Sequence, residues 1–97
     1  MKRKIKLIEV TSELGAGTRG ASLGVGALKT AAFNKNSNFF KTYSSESVSN
    51  FNEHIFSNSD TPGAIRIEYI AKQFELIAKK VKKTIKNDEF PFVLAGD

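Results

Sequence analysis

The chain has 97 residues, 40% of them apolar and 26% charged, with 15 Lys and Arg against 10 Asp and Glu for a net charge of +5. That apolar content excludes a disordered chain. The absence of cysteine excludes disulfide staples and thiolate metal sites, and fits a reducing cytoplasm. No run reaches the roughly 18–20 apolar residues that a membrane span requires.

The opening Met1-Lys2-Arg3-Lys4 is basic, like the start of a secretion signal. The following Ile5-Lys6-Leu7-Ile8-Glu9-Val10 carries two charges, however, and is too short for the apolar part of such a signal. It predicts a strand with apolar side chains on both faces, as in a parallel sheet covered on two sides. Thr11 to Gly20 is a glycine-rich loop, and Ala21 to about Asn34 is a helix carried by Leu23, Ala27, Leu28, Ala31 and Ala32. Ser22 is the expected cap of that helix. Gly24 and Gly26 belong near its first turn, because each weakens a helix interior by about 1 kcal/mol relative to alanine.

Phe39-Phe40-Lys41-Thr42-Tyr43 is expected to be a second strand. Ser44 to Gly63 is a long polar connection, expected to lack regular structure over most of its length, with room for a short helix around Ser47 to Ile55. The strongest element is a helix from Ala64 to Lys86, in which Ile67, Ile70, Phe74, Ile77, Val81 and Ile85 form one apolar stripe. Glu75 and Lys79 stand in the favourable order for an ion pair four residues apart. The helix should stop at Asn87-Asp88-Glu89, since the residue before Pro91 resists helical geometry. Phe92 to Ala95 reads as a third strand, with Gly96 and Asp97 after its carboxyl end. Strands alternating with helices predict an α/β fold with a parallel sheet and helical crossovers.

In such sheets ligands bind beyond the carboxyl ends of the strands. The loop holding Gly15, Gly17, Arg19 and Gly20 occupies that position, with Gly24 in the helix behind it. No Gly-Lys-Ser/Thr follows, so it is read as a tight loop that lets the helix pack on the sheet, not as a phosphate cradle. Asp97 on its own would be a helix cap, and His54 is expected to be exposed and passive. No nucleophile–base arrangement can be assembled, so no catalytic residue is assigned. The lysines from Lys79 to Lys86 read as the solvated end of a helix, where the helix dipole favours cations. The aromatics seldom alternate with basic residues, which argues against a nucleic-acid stacking platform.

The opening strand, the loop with Arg19-Gly20, the helix beginning near Gly24 and the closing Phe92-Val93-Leu94-Ala95-Gly96-Asp97 resemble the N-terminal segment of the arginase-like ureohydrolases. In that family the last of these strands ends in Gly-Gly-Asp-His-Ser, and its histidine is the first ligand of a two-manganese centre. Here Ala95 replaces the first glycine, and the sequence ends at Asp97. The resemblance implies a three-layer α/β/α sandwich with a mainly parallel sheet, of which residues 1–97 form an incomplete N-terminal portion. It implies hydrolysis of a guanidinium group, two manganese ions, a small guanidino substrate, a cytoplasmic setting, and a trimer or hexamer. No family ligand maps onto this sequence, so the fragment is expected to lack the metal, to be inactive alone, and to expose a sticky sheet edge. Asp97 is given a supporting role beside the first ligand. The competing reading is a self-contained, small basic α/β module that binds nucleic acid or a protein.

Overall fold

The computed structural model describes residues 4–13, 20–54 and 62–95, without the side chains of Ala21, His54 and residues 62–66. Strand β1 runs over Lys4–Val10, and a 3-10 turn at Ala21–Leu23 leads into helix α1, Gly24–Asn34. A one-turn helix α2, Phe39–Thr42, precedes strand β2, Ser45–Val48. A second 3-10 turn spans Asn52–His54, and the 25-residue helix α3, Pro62–Lys86, leads to strand β3, Glu89–Ala95. The strands form a parallel sheet in the order β2-β1-β3. The fold is therefore α/β, as the alternation of elements predicts.

The central strand carries the core. Leu7 and Ile8 are fully buried, and Val10 and Glu9 nearly so. Side chains alternate across a strand, and the two faces of β1 receive different helices. Ile8 and Val10 meet Val48 of β2 and then Leu76, Ile77 and Val81 of α3. On the opposite face, Glu9 is bound by Lys29 of α1, with Nζ 3.0 Å from a carboxylate oxygen. This two-sided covering explains why β1 reads as apolar in both registers.

Helix α1 ends in a left-handed Asn36, φ 55°, with the Ser37 amide donating to the Ala32 carbonyl at 2.8 Å and the Asn36 amide to the Phe33 carbonyl at 3.1 Å. This is the closing geometry that asparagine tolerates better than most residues. Its N-terminal cap differs from expectation. Leu23 occupies the cap position and no side chain caps the helix, because the Ser22 hydroxyl is committed to Glu13.

The expected strand at Phe39–Tyr43 is a helical turn instead. Only a turn brings Phe39 against both Phe40 and Tyr43, with ring centroids 5.1 and 5.2 Å apart, and lets it reach Phe92 of β3 at 6.2 Å. Ring packing thus overrides the strand preference of aromatics. The second strand lies a few residues later, inside the segment expected to be irregular. There Ser45 and Glu46 bind Glu9, Lys6 and Lys80, and Val48 fills the core. The helix expected around Ser47 to Ile55 is reduced to the 3-10 turn.

Helix α3 matches its expected extent closely, but its register on the sheet does not. Gln73 and Thr84 are buried, whereas Ile67, Phe74 and Ile85 are 69%, 65% and 49% exposed. Polar anchors set this rotation. Lys80 Nζ reaches Glu46 at 2.7 Å and the Gln73 amide donates to the Ser49 carbonyl at 3.1 Å, while Thr84 is buried by satisfying its hydroxyl within the helix, on the Lys80 carbonyl at 2.8 Å. The ion pair along the helix joins Glu68 and Lys72 at 3.4 Å; Glu75 and Lys79 form none among the described residues. A left-handed Asp88, φ 60°, turns the chain into β3, which starts at Glu89 and not at Phe92. Pro91 is accommodated because, among the described strands, β3 lies at an edge of the sheet. Among the described residues, no helix is long and apolar enough to cross a membrane.

Candidate functional site

The three strands finish level with one another: Val10 pairs with Val48 on one side and with Ala95 on the other. Whatever follows each strand therefore leaves the sheet at one rim, the position where open parallel sheets bind ligands. Among the described residues the segments concerned are Thr11-Ser12-Glu13 after β1 and Ser49 to Asn52 after β2.

Asparagines after β2 bind the segment after β1. Asn52 Nδ2 donates to the Thr11 carbonyl at 2.8 Å, and Asn52 Oδ1 accepts the Glu13 amide at 2.8 Å. Asn50 Nδ2 donates to Thr11 Oγ1 at 3.0 Å, while Asn50 Oδ1 accepts the Asn52 amide at 3.1 Å. Two side-chain amides thus complete the polar groups of a backbone that has left its sheet ladder.

Glu13 is the rim's buried charge, 2% exposed. One of its carboxylate oxygens accepts the Gly20 amide at 2.6 Å, the Ser22 hydroxyl at 2.8 Å and the Ser22 amide at 3.4 Å. Gly20 has φ 120°, a backbone conformation that L side chains rarely adopt. Gly15, Gly17 and Gly20 stand at the Gly-x-Gly-x-x-Gly spacing of dinucleotide-binding loops, so spacing alone does not dismiss a phosphate cradle. A cradle needs free amides and a helix opening from the last glycine. Here a protein carboxylate takes the Gly20 and Ser22 amides, and a 3-10 turn separates Gly20 from α1.

Below the rim, Glu9 sits between helix and strand. It accepts hydrogen bonds from Lys29 Nζ, at 3.0 Å, and from the Ser45 hydroxyl. Burial raises the Glu9 pKa, but the bonds from Ser45 and Lys29 and the Lys29 charge outweigh it and leave it below the ordinary glutamate value. On the other face, hydrogen bonds and charge from Lys80 and Lys6 hold the Glu46 pKa below its usual range. Both carboxylates are neutralised by lysine, which suits a fold-stabilising role better than proton transfer.

Of the residues singled out from sequence, Gly20 lies at the rim and Gly24 opens α1. Gly15, Gly17, Arg19, Gly96 and Asp97 lie outside the described residues, as does the His54 side chain. Glu13, Asn50 and Asn52 were missed. The available signal was a carboxylate three residues past a buried strand, followed by glycines whose amides it could cap. Among the described residues, no three His, Asp or Glu side chains converge as metal ligands. Compared with family models, curated proteins and solved structures, the chain finds no match in any of the three.

Proposed function

We propose that this chain is the N-terminal part of a manganese-dependent ureohydrolase domain that hydrolyses a guanidinium group, as in arginine to ornithine and urea. The observation that carries the reading is the in-register parallel pairing of β1 with β3, Val10 opposite Ala95. It sets the end of β1 beside the end of β3, the two strands that carry the family resemblance. The three-layer α/β/α sandwich, the cytoplasmic setting and the trimeric or hexameric assembly belong to the same proposal.

The described residues do not assemble a site for manganese. On this reading the ligands lie beyond Asp97, and the complete domain would use the metal pair to generate a hydroxide near neutral pH. The contribution of this part is the scaffold. Glu13, Asn50 and Asn52 fix the rim, and β3 ends at Ala95 level with Val10.

The full-length gene product should release urea from arginine, or ammonia or formamide from a related amidino substrate, only when manganese is supplied. Asp97→Ala should weaken manganese affinity in that protein. A full-length product with no histidine directly after Asp97, or with no manganese-dependent hydrolysis of guanidino compounds, sinks the assignment. Unchanged manganese affinity in Asp97→Ala removes only the supporting role of that residue.

A further inference from the structure

The β2 edge of the sheet combines open backbone groups with uncompensated charge. The Leu7 amide donates to the Ser44 carbonyl at 2.9 Å, and along a parallel ladder alternate residues face the same neighbour. Ser44, Glu46 and Val48 therefore turn their backbone groups to β1. Ser45, Ser47 and Ser49 turn theirs outward, where no described strand lies. Of these outward groups, the Ser49 carbonyl accepts the Gln73 amide at 3.1 Å.

A cavity of about 270 Å³ runs along this edge, with Ser47, Val48 and Ser49 on one wall and Lys79, Lys80 and Lys83 of α3 on the other. Lys80 is paired with Glu46, but Lys79 and Lys83 have no carboxylate partner among the described residues. They stand four residues apart, a spacing at which like charges destabilise a helix. The helix dipole favours cations only in the last turn. It accounts for Lys83 and Lys86 but not for Lys79, about two turns before the end of α3.

We propose that the β2 edge takes an added strand from an acidic peptide, one carboxylate of which enters this cavity between Lys79 and Lys83. The chain contains its own precedent. Glu46 of β2 turns to the α3 face and is held there by Lys80 at 2.7 Å and Lys6 at 3.3 Å. Residues alongside one another in neighbouring strands share a face. A glutamate alongside Glu46 or Val48, one strand spacing of about 4.8 Å further out, thus meets the next lysines of the same helix. Backbone bonds to the outward serines give affinity and the lysines give specificity, as in peptide recognition by strand addition. The same lysines disfavour a strand without an acid, which keeps the edge from pairing indiscriminately. This inference stands on β2 and α3 and does not depend on the ureohydrolase reading.

NMR titration of the isotope-labelled protein with the capped peptide Thr-Glu-Thr-Glu-Thr, at constant ionic strength, tests it. The Ser45, Ser47 and Ser49 amides should shift to saturation and exchange more slowly, while Glu46 and Val48, already in the ladder, keep their exchange rates. Lys79→Gln/Lys83→Gln should weaken binding about tenfold or more, the scale of losing hydrogen bonds to charged groups. Lys82→Gln/Lys86→Gln removes equal charge away from the cavity and should change binding less than about twofold, since exposed charges at a distance are screened. Of two peptides N-methylated at alternate residues, one should bind and the other fail, because a single edge of the added strand bonds β2. No saturable shift, equal losses in the two double variants, or like behaviour of the two methylated peptides overturns the proposal. So does inorganic phosphate or a single-stranded oligonucleotide shifting the same amides as strongly as the peptide.

Discussion

The carboxylate of Glu13 accepts the Gly20 amide at 2.6 Å, so one buried side chain joins the exit of β1 to the entrance of α1. Its second anchor is Ser22, through a hydroxyl at 2.8 Å. Removing the carboxylate takes the acceptor from the exposed Gly20 and the half-buried Ser22 and leaves a gap where the buried side chain stood. Hydrogen bonds to a charged group contribute about 1.5–3 kcal/mol each, less than additively when they share an acceptor. Glu13→Ala should therefore cost about 1–3 kcal/mol in urea unfolding, with faster amide exchange at Gly20 and Ser22. Glu13→Gln should recover part of that. A midpoint shift within error for Glu13→Ala would show that the carboxylate does not hold this turn.

Two glycines give opposite expectations for the same substitution. Gly20 has φ 120°, and nothing lies within 4 Å of the point where an alanine methyl would stand, so alanine there meets backbone strain and no clash. Strain of that kind costs about 1–3 kcal/mol. Gly26 lies inside α1 at an ordinary φ, also with open space around it. Alanine there should stabilise by up to about 1 kcal/mol through helix propensity. Thermal midpoints should fall for Gly20→Ala and rise for Gly26→Ala; the reverse order would mean that the two backbone conformations are misassigned.

Acid should weaken the fold through Glu9 and Glu46. Both have folded pKa values below the ordinary one, set by Ser45 and Lys29 for Glu9 and by Lys80 and Lys6 for Glu46. A depressed folded pKa gives stability that is fully present above the unfolded value, about 4.3 for glutamate. That stability is lost as pH falls from there through the folded values. Stability attributable to these groups should accordingly be flat above about pH 5.5 and decline below about pH 4.5. Lys29→Met should flatten the Glu9 part of the decline, and carboxyl-carbon NMR titration resolves the two residues. A Glu9 titration at or above the ordinary glutamate value would contradict the Lys29 and Ser45 assignment.

How much of this was legible in the sequence differs from element to element. The strand at Ile5–Val10 is marked by a short run apolar on both faces and the helix ending at Lys86 by a periodic stripe, and both elements stand where the sequence places them. Phe39–Tyr43 failed because strand preference is weak against a specific ring cluster whose fourth member, Phe92, lies 53 residues later in sequence. Ser45–Val48 failed for the converse reason: its serines and glutamate read as loop, while their partners Lys6, Glu9 and Lys80 are supplied by other elements. The rotation of α3 was illegible because Gln73 and Thr84 are buried by hydrogen bonding, which a count of apolar residues cannot register. At the rim, the glycines announced a special turn, but nothing local said that Glu13 would fill it.

The aromatic cluster offers a direct contest between strand preference and ring packing. Phe39 meets Phe40, Tyr43 and Phe92 edge-to-face, at 5.1, 5.2 and 6.2 Å between centroids. Valine is at least as good a strand former as phenylalanine, so in a strand Phe39→Val would be mild. In the observed turn it removes three ring contacts, each worth about 0.5–1.5 kcal/mol beyond simple burial. Phe39→Val should therefore destabilise by about 1–3 kcal/mol. The Phe39→Val/Phe92→Val cycle should show a coupling of about 0.5–1 kcal/mol, as contacting residues do. Strict additivity would separate the two rings and leave the position of α2 against β3 without its main cause.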